Sequence, residues 1–249
     1  RPGASAVWRD LAAAFGGAGV YAENTIRVDV RAVIDGDTLG LGARKTITAG
    51  SVSVRATDSS VIMSIAGAAS VAAAFSADAA AAISIGVAIA LNQVANVVEA
   101  SISSAVVTAN GTTSGTTADG TPDGGITVAA DESARILSLT AAASLAAAAS
   151  LYAGIAVSGA GAFASNVVTT ATNALVEDSS LTAKKAISVT ADDTSSIQAL
   201  IAAISAAIGA GAAGIGVSIG LSLARNVIGG STHSPTWAPS GFSRGRPSF

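Results

Sequence analysis

The residues of this chain whose types and spacing could do chemistry recur at regular intervals. Asn24, Asn92, Asn166 and Asn226 each close a run of alternating apolar residues. A carboxamide carries both donors and acceptors, so asparagines brought to the same turn of successive repeats would hydrogen-bond as a structural ladder. Ligand binding is the other use of such a row. Asp58, Glu132 and Asp193, with Asp131 and Asp192 beside them, recur in the same way. Stacked carboxylates repel, so such a row either stays solvated in a turn or binds a hard cation such as calcium. Asp35 and Asp37 in IDGDT, and Asp119 and Asp123 in ADGTPDGG, are further oxygen-rich turns. Neither matches the helix–loop–helix calcium pattern or the glycine-rich nonapeptide one.

Catalysis has little to stand on. His233 is the only histidine and lies in a Pro-rich tail, so a Ser-His-Asp triad would have to use it. The paired carboxylates follow the repeat, whereas an active site would break it. GAGAAGIG has neither the Lys-Ser/Thr of a phosphate loop nor the acid spacing of a dinucleotide fold. No catalytic or cofactor-binding residue is assigned, no cofactor beyond calcium is suggested, and an enzyme is not expected.

Composition narrows the classes further. The chain has 249 residues, 50% hydrophobic but only 4% aromatic and 12% charged, with 27 glycines. Its apolar content is mainly alanine, then Val and Ile. Small side chains suit closely spaced backbone layers better than a bulky core. The net charge of −3 offers no basic footprint for nucleic acid. There is no cysteine, hence no disulfide or thiolate metal site.

The elements that must carry these residues form an internal repeat. VSVRATDSSVIMSI from Val52, ITVAADESARILSL from Ile126 and ISVTADDTSSIQAL from Ile187 superpose without gaps. Each then reaches its asparagine after 40, 40 and 39 residues. The segments following Asn24, Asn92 and Asn166 also align. Only the connectors vary: 28, 34 and 21 residues separate those asparagines from the next block. The expected organisation is a partial repeat over 1–51, repeats over 52–125 and 126–186, a truncated repeat over 187–229, and an irregular Pro/Gly/Ser-rich tail over 230–249. The chain starts in mid-repeat, as a piece of something longer would. Residues 108–125 are expected to form a solvated loop thrown out from the second repeat.

The blocks flanking each repeat read as strands. ISVTA, ITVAA and VSVRA alternate with period two, and GIGVSIGLSL places β-branched residues on one face and Gly or Ser on the other. The middle of each repeat is ambiguous. Ile197, Leu200, Ile201, Ile204 and Ile208 sit at helical spacing, and SVAAAFSADAAAA has good helix composition. The expected fold is mainly β, an elongated parallel β-solenoid of about 60–75-residue repeats; the alternative is an α/β repeat array with Ala-rich helices packed on strands. No charge occurs from 136 to 176 or from 194 to 224, long enough to cross a bilayer. Those spans are Ala, Gly and Ser rather than Leu or Phe, so insertion would be weakly driven.

The scheme N-x-[IV], then A-x-[IV] and a small or acidic turn, then V-x-V-x-A-x-D/E-S, resembles the repeats of very large bacterial surface proteins. Over roughly residues 10 to 229 it is similar to leukotoxin-type filamentous adhesins and haemagglutinin-like proteins. That resemblance implies a right-handed parallel β-solenoid on the cell surface or secreted, acting as stalk, adhesin or fibre. It offers no catalytic residues. The expected function is a structural and adhesive repeat segment. Its partners would be neighbouring repeats or further copies of itself, and a host or neighbouring-cell surface. A membrane-active or pore-forming segment and a self-assembling filament subunit are the competing expectations.

Overall fold

A computed structural model describes residues 10–233 except 38, 39, 41, 43, 113 and 114. Every regular element among them is a β-strand, and every ladder between these strands is parallel. The chain winds through four sheets in fixed order. Sheet A holds β1 (Leu11–Ile26) with β2 (Asp29–Asp35), β6 (Ala79–Ser103), β10 (Ala153–Glu177) and β14 (Ala213–His233). Sheet B holds β3 (Lys45–Ala49), β7 (Ala105–Ala109) and β11 (Ser180–Ala183). Sheet C holds β4 (Val52–Asp58), β8 (Ile126–Glu132) and β12 (Ile187–Asp193). Sheet D holds β5 (Val61–Phe75), β9 (Arg135–Ala149) and β13 (Ser196–Ala210), after which the chain returns to sheet A one level on. This is a parallel β-solenoid. Coil 1 comprises β1 to β5, coil 2 β6 to β9, coil 3 β10 to β13, and β14 opens coil 4.

The register is unslipped from coil to coil. Asn24 pairs with Asn92, Asn92 with Asn166, and Asn166 with Asn226. The three gapless sequence blocks become the C and D ladders, residue for residue. Even the single-residue deficit of the third block has a place. The D-to-A turn is Ser76–Asp78 and Ser150–Tyr152 in coils 1 and 2, but only Gly211 and Ala212 in coil 3. The shorter turn passes through Gly211 at φ +150°, a backbone conformation open mainly to glycine.

The middle of each repeat is strand, not helix. Alanine has the highest helix propensity, but propensity is a weak prior that tertiary context overrides. Here β9 is sandwiched between β5 and β13, which satisfy its backbone on both edges. Two boundaries also shift. β7 runs through Ala109, so the long loop begins at Asn110 rather than 108, and β14 runs to His233, four residues into the stretch expected to be irregular. Residues 234–249 of that tail, and residues 1–9 of the first partial repeat, lie outside the described residues.

The cross-section has two parts. At one end sheets A, B and C enclose a three-sided core of Val98, Ile102, Val107, Ile126 and Val128, all fully buried. At the other, sheets A and D lie face to face as a long, thin wing whose interior is alanine: Ala82, Ala88 and Ala90 against Ala66, Ala68 and Ala72 and their stacked equivalents. The wing is so thin that a Cβ added at Gly86 would stand 2.5 Å from the carbonyl oxygen of Ala143 in the facing sheet. At Gly16 it would stand 2.4 Å from that of Val71. Side chains therefore sort against the usual rule. The small residues point inward, while Ile85, Val87, Leu139 and Leu145 point to solvent.

Candidate functional site

The conspicuous polar residues collect where the wing meets the three-sided end. Along β6 the inward positions read Ala88, Ala90, Asn92, Val94, Asn96, Val98, so two asparagines bracket the change of cross-section. Asn24, Asn92, Asn166 and Asn226 form a continuous ladder along the axis. Each Nδ2 donates to the next Oδ1, at 2.9, 2.7 and 2.8 Å. Asn92 and Asn166 are almost completely buried, and Asn92 Nδ2 also reaches Ser138 Oγ of sheet D at 3.3 Å. In-register stacking at the strand spacing is what lets one amide serve its neighbours above and below.

One turn further along lies the acid column. Asp58, Glu132 and Asp193 end β4, β8 and β12, at the corner between sheets C and D. They occupy one register position but do not behave alike. Asp58 Oδ2 accepts from Ser60 N and Oγ at 3.1 and 2.7 Å, and Asp193 Oδ1 accepts from Ser195 N at 2.9 Å. Each caps its own turn. Coil 2 has Ala134 where the others have serine, and its acid is a methylene longer. Glu132 is 2% exposed; its Oε1 accepts from Asn96 Nδ2 at 3.2 Å, and its Oε2 has no partner. Asn96 Nδ2 also reaches Asp58 Oδ2 at 2.8 Å, while its Oδ1 accepts from Val28 N at 3.1 Å.

The electrostatics follow from these contacts. Burial pushes the Glu132 carboxyl up to about 7; the Asn96 hydrogen bond pulls the other way, and Asp58 and Asp193 below and above it push it higher. Asp193 is also pushed up by burial, but the hydrogen bonds from Ser195 and Thr170 outweigh that and hold it below the ordinary carboxylate value. The weak calcium candidates Asp58, Glu132 and Asp193 stack at one register position. No group of three or more acids or histidines among the described residues converges as metal ligands. The cause is that Asp58 and Asp193 turn to their own backbones while Glu132 turns inward.

The remaining candidates are scattered. His233 ends β14 opposite Asn173 of β10. Asp35 Oδ1 accepts from Asp37 N, capping the turn after β2. The long loop is not thrown out freely. Thr116 and Pro122 form an antiparallel bridge, Gly124 N donates to Gly50 O at 2.8 Å, and Arg55 Nε reaches Asp119 Oδ2 at 3.4 Å. The loop thus lies down against coil 1. Hydrogen bonds from Ser53, Thr117 and Thr121 hold the Asp119 carboxyl far below its usual range.

Two features escaped the sequence reading. Asn96 lies four residues after a ladder asparagine, but its register partners are Thr170 and, beyond, Gly230, so nothing repeats there to draw the eye. Serine pairs bridge the two wing sheets in successive coils: Ser70 with Ser84, Ser144 with Ser158, and Ser205 with Ser218 at 2.7, 2.5 and 2.7 Å. The separations of 14, 14 and 13 residues were a legible signal.

No protein-family model matches the chain, and neither a curated protein nor a solved structure matches it.

Proposed function

We propose that this chain is a structural and adhesive segment of an extracellular bacterial surface protein, a spacer that holds surface loops along a stiff axis. The observation that carries this reading is where length varies. Successive coils are offset by 68, 74 and 60 residues at the asparagine ladder, yet sheets A, C and D keep register throughout. Apart from one residue at the D-to-A turn of coil 3, the variation is confined to the corners around sheet B, above all residues 110–125. A body under constraint with corners of variable length suits a rod that presents contacts rather than a scaffold for one catalytic cleft. The resemblance of its repeats to filamentous adhesins points the same way.

The test is adhesion of beads coated with the chain to bacterial and epithelial cell layers, with and without residues 112–123, the stacked corner residues Asn110, Gly111, Gly124 and Gly125 being kept. Removal of the loop should leave the β-type circular dichroism and melting temperature within error of the parent while bead retention falls several-fold. Equal retention by coated and uncoated beads would count against an adhesive role.

A further inference from the structure

The outer face of sheet A along the wing carries no charge. From Leu11, Ala79, Ala153 and Ala213 through Tyr21, Ile89, Phe163 and Leu223, its outward positions are apolar side chains, glycine or alanine, the tyrosine hydroxyl being the one polar group. Four strands spaced ~4.8 Å apart and about 11 positions at ~3.3 Å give a face of roughly 700 Å², close to what each partner contributes to a standard stable interface.

In two adjoining rows the face is corrugated, with a period of two coils. Coil 2 presents Ile85 and Val87, and β14 presents Ile219 and Leu221. In the same rows coil 1 has Gly17 and Gly19, and coil 3 has Gly159 and Gly161. Ridges and troughs alternate. Consider a second copy laid face to face about a two-fold axis that runs along the strands, midway between coils 2 and 3. Coil 1 then faces β14 and coil 2 faces coil 3, with every row kept. Ile219 and Leu221 of each copy enter the Gly17 and Gly19 trough of the other. Ile85 and Val87 enter the Gly159 and Gly161 trough. At the rim, where the next outward row carries Glu23 on β1 and Arg225 on β14, opposite charges meet. Large side chains meet in the rows of Phe15 and Tyr21, where Ile83 faces Val157 and Ile89 faces Phe163; ridges meet troughs in the two rows between them and opposite charges meet at the rim, the pattern of an isologous dimer.

We propose that the outer face of sheet A is a docking surface for a second copy of this chain, related by that two-fold axis. This stands apart from the adhesive reading: the two could fail independently. A lipid surface is the other apolar occupant, but the Gly17, Gly19, Gly159 and Gly161 troughs and the placing of Glu23 against Arg225 match a copy of this face rather than a fluid layer.

Sedimentation velocity of the full chain in detergent-free buffer tests this. The parent should dimerise reversibly at micromolar concentration. Side chains added at Gly159 and Gly161 meet nothing within 4 Å, so the Gly159→Phe/Gly161→Phe variant should keep its circular dichroism and be monomeric, its dissociation constant raised more than a hundredfold. Glu23→Arg and Arg225→Glu should each weaken the dimer roughly tenfold, and the double exchange should restore it. A parent that is monomeric throughout, a dimer indifferent to the trough-filling pair, or two charge reversals that add rather than cancel would overturn the proposal. So would flotation of the parent with phosphatidylcholine vesicles in place of dimerisation.

Discussion

The wing and the three-sided end are built from the same strands, yet they keep different residues inside. Ile102, Val107, Ile126 and Val128 fill the triangle between sheets A, B and C. In the wing the same inward positions hold Ala82, Gly86 and Ala88. The difference is one of spacing. Three sheets meeting at angles leave a volume that branched side chains must fill, whereas two flat sheets can close until backbones touch. What a position accepts is therefore set by the distance to the facing sheet, not by its place in the repeat alone. The wing gains less from each residue, since burying one methyl gives only ~0.8 kcal/mol, and makes up for it in length.

The sharpest way to break the wing is Gly86→Val. Its Cβ would lie 2.5 Å from Ala143 O, and backbone cannot swing aside, so we expect a loss of about 4 kcal/mol or failure to fold. Gly159→Val, outward on the same sheet, should change stability by about 0.5 kcal/mol or less. Urea titration of both separates inside from outside, and equal losses would refute the backbone-contact account. In the three-sided end Ile126→Ala should cost about 3 kcal/mol by leaving a cavity, a mechanism the wing scarcely allows.

At the junction, Asn92→Ala strips Asn24 Nδ2 of its acceptor and Asn166 Oδ1 of its donor, for about 2 kcal/mol. A loss no larger than that of an exposed asparagine would mean that the ladder is incidental. The smallest effect is pH-dependent. Glu132 is held at about 7 in the fold against an ordinary value near 4.5, so the folded state binds the extra proton between those limits. Stability is therefore greatest below about pH 4.5 as far as this group is concerned, and falls as pH rises through 7. Glu132→Gln should stabilise the chain by about 1–2 kcal/mol at pH 8 and by nothing measurable near pH 4.5. Thermal melts at the two pH values read this directly, and a pH-independent difference would place the effect in packing instead.

Much of this molecule was legible without coordinates. The gapless blocks at Val52, Ile126 and Ile187 translate into the C and D ladders; the nearly constant distance from each block puts Asn92, Asn166 and Asn226 in one column, and the aligned segments after the asparagines add Asn24. Repetition was the reason: a solenoid demands that equivalent positions carry equivalent chemistry, so the pattern survives in the letters. The acid column was found for the same cause, but its chemistry was not. Whether an acid caps its turn or turns inward depends on its length, Asp58 and Asp193 against the longer Glu132, and on contacts from Asn96 that come from another sheet.

The sequence by itself determined the repeat, its register and the alternation of its strands. Only the tertiary structure decided that the Ala-rich stretches are strands, because the ladders above and below satisfy their backbones whatever alanine prefers alone. It also decided which face of the alternation turns inward. Period two names two faces without saying which is buried, and hydrophobic transfer alone would have buried the isoleucines. The close approach of sheets A and D admits only small residues between them, so Ile85, Val87, Leu139 and Leu145 were left outside.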